Sequence, residues 1–182
     1  MNMEDCILIT DNNINNNKQI IIINGQGGVG KDTICDIVKK HYGTKVVSSI
    51  DIIKAIAIYG GWDGKKDLKG RKLLSDIKLA FSEYNNLPFK RMANEIRIFK
   101  KFRDEQVLFI HVREPKEIEK LVSEYPEIKT LLITKGQSPS KFGNMGDDNV
   151  LNYDYDFIFE NNGELDNLEN DFMKFFEGEM LK

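Results

Sequence analysis

The sequence predicts an α/β chain organised on a doubly wound, five-stranded parallel sheet. Three observations predict it. Short apolar runs rich in β-branched residues recur along the chain: Ile20-Ile21-Ile22-Ile23, Gln106 to Val112 and Lys129 to Thr134. Such runs suit strands buried on both faces. Stretches with apolar residues at helical spacing separate them, as alternating strand–helix units require. Finally, the isoleucine run leads directly into a glycine-rich turn, Gly25-Gln26-Gly27-Gly28-Val29-Gly30-Lys31, and then into a helical pattern.

Residues 1–18 carry a short apolar patch and an asparagine cluster ending at Asn17. The asparagines read as a loop. Cys6 to Thr10 reads either as an edge strand or as a loosely held tail. After the first core strand, Thr33 to Tyr42 reads as a helix with Ile34, Ile37, Val38 and Tyr42 on one face. Lys39, Lys40 and His41 complement its carboxyl-terminal dipole, and Gly43 is the expected cap. Cys35 reads as a small core residue and His41 as a helix-end residue. Thr44 to Ser48 is a second strand, and Ser49 to Tyr59 a helix carrying Asp51 and Lys54.

The loop Gly60-Gly61-Trp62-Asp63-Gly64 holds the only tryptophan, which either stacks on a ligand ring or covers a core edge. Arg71 to Tyr84 is an amphipathic helix through Leu73, Leu74, Ile77, Phe81 and Tyr84. Pro88 suits the start of the next helix, whose apolar face is Phe89, Met92, Ala93, Ile96 and Phe99. The strand Gln106 to Val112 ends at Arg113-Glu114-Pro115, and Ile118, Leu121 and Val122 mark the helix after it. Lys129 to Thr134 is a strand. The long connection 135–150, with three glycines, reads as a lid. Asp156 to Phe159 is a last short strand, Asn161-Asn162-Gly163 a turn, and Leu165 to Phe176 a closing helix.

The 182 residues suggest one domain, with 60–103 as a helical insertion. An apolar content of 41% and a charged content of 30% are ordinary for a globular protein. The net charge of −3 gives no global attraction to nucleic acid. Charge is unevenly spread, however. Lys54 to Arg103 holds 13 basic and 5 acidic residues, whereas Ser140 to the end holds 3 and 11. The basic middle either meets an anionic ligand or is a solvated helical face. Two cysteines without metal-ligand or C-x-x-C spacing indicate neither zinc nor a disulfide framework. No apolar run reaches membrane-spanning length and no leader pattern opens the chain, so a cytoplasmic protein without membrane or nucleic-acid partners is expected.

Gly25 to Lys31 fits the first seven positions of the phosphate-loop pattern G-x-x-x-x-G-K-[ST], at the strand-to-helix junction where that loop belongs. Glycines let main-chain N–H groups close around an anion, and the helix amino terminus adds unpaired donors and partial positive charge. The expected nucleotide-binding set is therefore Gly25, Gln26, Gly27, Gly28, Val29, Gly30, Lys31, Asp32 and Thr33. Asp32 stands where a Mg²⁺-binding hydroxyl is usual. A carboxylate is also a hard oxygen ligand, so Asp32 is the metal candidate. Ligands of open α/β sheets bind at the carboxyl ends of the strands. That rule adds Ser48 to Asp51 and His111 to Arg113 to the candidate site.

With Gly30-Lys31-Asp32-Thr33, the chain resembles the P-loop nucleoside monophosphate kinases. More narrowly it is similar to the phage-type deoxynucleoside monophosphate kinases and the P-loop phosphomevalonate kinases, which write Gly-Lys-Asp in this loop. Ser49 to Lys54, Arg71-Lys72-Leu73-Leu74, and Arg113 with Glu114 and Glu117 resemble the family's other motifs, as does Asn161-Asn162-Gly163-Glu164-Leu165-Asp166-Asn167-Leu168. The resemblance implies a three-layer P-loop NTPase fold, an acceptor-binding insertion at 60–103 and a lid at 135–150. It further implies ATP and Mg²⁺ as cofactors, with phosphoryl transfer to a nucleoside or deoxynucleoside monophosphate. Lys31, Arg71 and Arg113 take the catalytic roles. Asp51, Lys54, Arg71, Arg91, His111 and Arg113 take the substrate roles, and Asp32 the metal. Small-molecule nucleotides are the expected partners, and a homodimer stays open.

The chain departs from the family twice. His111 replaces an aspartate, and the lid offers Lys135 and Lys141 instead of arginines. These departures keep an alternative, a nucleotide-binding protein with weak or lost transfer. Phosphomevalonate or dephospho-coenzyme A also stays open as acceptor. A partitioning-type ATPase would need a lysine where Gln26 stands.

Overall fold

A computed structural model describes residues 18–136, 149–162 and 165–182. The candidate strand at Cys6 to Thr10, residues 137–148 of the expected lid with Lys141, and Gly163 of the expected turn lie outside the described residues.

The elements follow in the order β1 (Gln19–Asn24), α1 (Lys31–His41), β2 (Thr44–Ser48), α2 (Asp51–Tyr59), α3 (Leu68–Asn85), α4 (Leu87–Phe102), β3 (Val107–His111), α5 (Pro115–Glu124), β4 (Lys129–Thr134), β5 (Phe157–Glu160) and α6 (Leu165–Phe175). A 3₁₀ turn, Val150–Asn152, precedes β5, and a π turn, Phe176–Met180, continues α6. The five strands form one sheet in the order β2-β3-β1-β4-β5, every pairing parallel. β1 is central, with β3 and β2 to one side of it and β4 and β5 to the other, so the strand order reverses direction at β1. The carboxyl end of β1 is therefore the crevice in which such sheets hold ligands.

Strand side chains alternate faces, and here both faces are covered. Ile21, Ile23, Phe109, Leu131 and Ile133 point to the layer formed by α1, α6 and the π turn, with Ile34, Val38, Phe172 and Phe176. Ile20, Ile22, Leu108, Ile110 and Leu132 point to the opposite layer, with Met92, Ile96 and Phe99 of α4 and Ile118 and Leu121 of α5. The isoleucine run is buried throughout because each neighbour serves a different layer. Three layers result, the α/β architecture expected from the sequence.

Several boundaries differ from expectation for local reasons. Helix α1 begins at Lys31, because Gly30 already acts as its amino cap. Its carboxyl cap is Tyr42, in extended conformation, and not Gly43; the Gly43 carbonyl instead accepts from Gln106 and Val107 at the edge of β3. Helix α2 begins at Asp51, since the Ser49 N–H still bonds to the His111 carbonyl as an extension of the sheet. Helix α3 begins three residues before Arg71. Asp67 caps it, its carboxylate accepting from the Gly70 N–H at 2.7 Å. Strand β5 starts after Asp156, whose carboxylate accepts from the N–H and hydroxyl of Thr130 at 2.8 and 2.9 Å. Trp62 covers a core edge: it packs against the small cluster of Ile53, Ala57 and Leu74, and its indole N–H donates to the Lys65 carbonyl at 3.1 Å. Cys35 is buried as expected, and His41 pairs with Glu169 at 2.9 Å. Among the described residues, no helix is long and apolar enough to cross a membrane.

Candidate functional site

The site is built around the turn that leaves β1. Gly25 has φ 150°, and a Cβ there would lie 2.5 Å from the Ile133 carbonyl oxygen. Gly30 has φ 97° in the left-handed region, and a Cβ there would lie 2.7 Å from the Asn161 amide nitrogen. Both positions demand glycine for space as well as conformation. Val29, between them, is buried in the core beneath α1 and anchors the loop from below. Asn161, also buried, donates through Nδ2 to the Val29 carbonyl at 2.8 Å, while its own N–H bonds to Thr134.

Lys31 is the first residue of α1, and its side chain turns back over the loop. Nζ donates to the carbonyls of Gly25 at 2.5 Å and Gln26 at 2.7 Å. Its charge thus sits at the glycine-rich turn, where the helix amino terminus adds partial positive charge. Asp32 and Thr33 follow in the first helical turn, both exposed. The Asp32 side chain is 97% accessible, so its carboxylate can bind a cation directly or through water.

The neighbouring strands end alongside. Register pairs Ile23 with His111 and His111 with Ser48, which brings the carboxyl ends of β1, β3 and β2 level. At the end of β2, Asp51 accepts from the Ser48 N–H at 2.9 Å and pairs with Lys54 at 3.1 Å, closing the turn into α2. At the end of β3, His111 lies 3.9 Å from the Asp32 carboxylate and 3.7 Å from the Cys35 sulfur. Burial holds the His111 imidazole below its ordinary pKa, with Asp32 pulling the other way. Burial and the nearby Asp32 push the Cys35 thiol far up, so it is an inert core thiol. Arg113 follows, half-buried, and its carbonyl accepts from the Asn24 amide at 3.2 Å.

The structure thus gathers Lys31, Asp32, Asp51, Lys54, His111 and Arg113 along one sheet edge. It does not bring Arg71 and Arg91 into the same network. Arg71 Nε donates to the Lys66 carbonyl at 2.9 Å, and Arg91 pairs with Glu95, one turn on, at 2.7 Å.

Three further residues pack around these groups. Asn24 and Asn161 hold the loop from its two ends. Lys78 of α3, mostly buried, reaches across to Glu114 at 2.9 Å and Glu117 at 3.0 Å, and so ties α3 to the segment directly after Arg113. The glutamate pair that follows Arg113 is the available signal for such a lysine, but thirteen basic residues from Lys54 to Arg103 compete for it.

No protein-family model matches the chain, and no curated protein matches it in sequence. Solved structures do. A sugar kinase from a Janibacter species aligns with a TM-score of 0.52 at 11% identity, over 88% of this chain and 95% of that one. The likeness is in the fold. APS kinase from Mycobacterium tuberculosis, in complex with AMPPNP and APS, aligns at TM-score 0.48 and 8% identity over 88% and 98% of the two chains. Shikimate kinase from Aquifex aeolicus aligns at 0.45 and 12% over 90% and 99%. The sugar kinase shares this three-layer α/β architecture over 95% of its length.

Proposed function

We propose that the chain transfers the γ-phosphoryl group of ATP to a small phosphorylated acceptor, a nucleoside or deoxynucleoside monophosphate. One observation carries the reading: Lys31 lies folded over the carbonyls of Gly25 and Gln26, within a glycine turn that opens a helix. A lysine so held is already centred on the loop. Phosphate oxygens carry charge and make stronger bonds to it than neutral carbonyls do. An arriving donor would take over its bonds while the loop N–H groups close around the phosphates.

Phosphoryl transfer asks chiefly for positioning and for neutralisation of the developing charge. Lys31 would serve the donor side, and Arg113 the transferring group. Asp51 and Lys54, clamped to each other at the end of β2, would orient the acceptor. An acceptor that is itself a phosphate needs no strong base. His111, held neutral by burial, fits as a hydrogen-bonding contact. The exposed Asp32 carboxylate, in the first turn after Lys31, suits Mg²⁺, which would supply charge neutralisation on the donor phosphates.

The test is a panel of ribo- and deoxyribonucleoside monophosphates, with phosphomevalonate, screened with Mg-ATP for acceptor-dependent ADP release. Release with a nucleotide acceptor supports the reading, and release with phosphomevalonate alone redirects the acceptor. A second reading, a nucleotide-binding module without efficient transfer, draws on His111 in an expected carboxylate's place and on Arg71 and Arg91 being bonded elsewhere. It predicts binding of an ATP analogue with no ADP release for any acceptor.

A further inference from the structure

We infer that Asn24 is a positioning residue that fixes the phosphate loop relative to Arg113, and that Tyr155 locks it in place. The inference rests on the kinase reading above for its functional meaning, and on the following geometry for its substance.

Asn24 ends β1 directly after four isoleucines, and it is fully buried. A buried amide carries a desolvation cost that leucine at the same place would not. Here both N–H donors and the carbonyl oxygen of that amide are engaged. Oδ1 accepts from the Gly25 N–H at 2.9 Å. Nδ2 donates to the Arg113 carbonyl at 3.2 Å and to the Tyr155 hydroxyl at 2.7 Å. The partners force the orientation: an N–H can only donate and a carbonyl can only accept, so the amide cannot be turned over.

Tyr155 completes the lock. Its hydroxyl receives from Asn24 and donates to the carbonyl of Val150, a fully buried residue, at 2.9 Å. Burial pushes the phenol up to about 12, so it stays a donor at any physiological pH. The ring is held edge-on against Tyr153 at 5.0 Å. One side chain thereby ties together the first residue of the donor loop, the backbone of the arginine after β3, and the segment that leads into β5. Turnover in a positioned reaction is sensitive to displacements of about 1 Å. The Asn24 amide sets that distance between Gly25 and Arg113.

The experiment uses the full chain with Tyr155→Phe, which deletes one hydroxyl, and with Asn24→Ser as an independent variant should the first fail to fold. Three quantities are read: kcat for acceptor-dependent ADP release, the Kd of a fluorescent ATP analogue, and amide hydrogen exchange over 25–31, 111–117 and 150–155. The expected result is a fall in kcat of about 5- to 100-fold, with the analogue Kd changed less than about twofold because the loop itself stays formed. Exchange protection should fall together in 25–31 and 111–117, and the double variant should be no slower than the slower single, since both break one network. Unchanged kcat, or exchange loss confined to 150–155, overturns the inference. Failure of the kinase reading shows separately, as wild-type chain without turnover. In that case the exchange experiment alone decides the role of Asn24.

Discussion

Asn161 donates through its side-chain amide to the Val29 carbonyl at 2.8 Å, joining two residues 132 positions apart. The bond fastens the turn after β5 to the glycine-rich loop that follows β1. The same amide nitrogen also fills the space into which any side chain at Gly30 would project.

Gly30→Ala should therefore weaken ATP-analogue binding through two effects, a left-handed conformation costing about 1–2 kcal/mol for a non-glycine residue and contact with Asn161. Removing the Asn161 side chain relieves only the second. The double variant Gly30→Ala/Asn161→Ala should lose about 1 kcal/mol less than the sum of the singles. Gly25→Ala meets the backbone carbonyl of Ile133, and no side-chain truncation should rescue it. Titrations of a fluorescent ATP analogue give all four values; strict additivity at Gly30 and Asn161 would refute the contact.

Lys78 is buried against Glu114 and Glu117, so Lys78→Met should cost about 1–3 kcal/mol by leaving these carboxylates without their cation. Urea unfolding measures the loss. Glu117→Gln should restore part of it in the double variant, and a Lys78→Met chain as stable as wild type would show that the bridge is dispensable.

Glu117 gives a pH signature. Burial holds its carboxyl above the ordinary value of 4.5, partly offset by Lys78. The folded state therefore binds the proton more tightly than the unfolded chain. The associated stability is full below the ordinary value and is lost as pH rises through the higher folded one. Urea midpoints measured across the acid range should show this slope in wild type and a flatter profile in Glu117→Gln.

His111 should act with the opposite sign. Burial lowers its folded pKa below the ordinary 6.5. Its contribution is full above that ordinary value and is lost as pH falls through the folded one, since the unfolded chain protonates first. Between neutrality and moderate acid, His111→Asn should lose less stability than wild type. An identical pH profile for the two chains would contradict the burial effect.

Much of this was legible along the chain, because local pattern decides it. The strands β1, β3 and β4 announce themselves by continuous apolar runs, since both their faces are covered. The glycine-rich loop is legible because its glycines, lysine and following helix are contiguous. The residues that hold the loop are not. Asn24 stands directly before the loop motif, but its partners Arg113 and Tyr155 are 89 and 131 positions away. Asn161 reads locally as a turn residue, and only the sheet order brings that turn to Val29. Arg91 shows the reverse case: its partner Glu95 lies one helical turn along, so the spacing alone announces the pair. Spacing within an element can be read directly, whereas contacts made through the sheet order require the assembled fold.

The central claim is that Lys31 takes part in turnover. The most direct measurement is acceptor-dependent ADP release by Lys31→Ala beside wild type, at saturating Mg-ATP and with the best acceptor of the nucleotide panel. Loss of one preorganised charge contact at the transferring group should lower kcat by at least about 100-fold in a chain that stays folded. Wild-type turnover by Lys31→Ala would contradict the account.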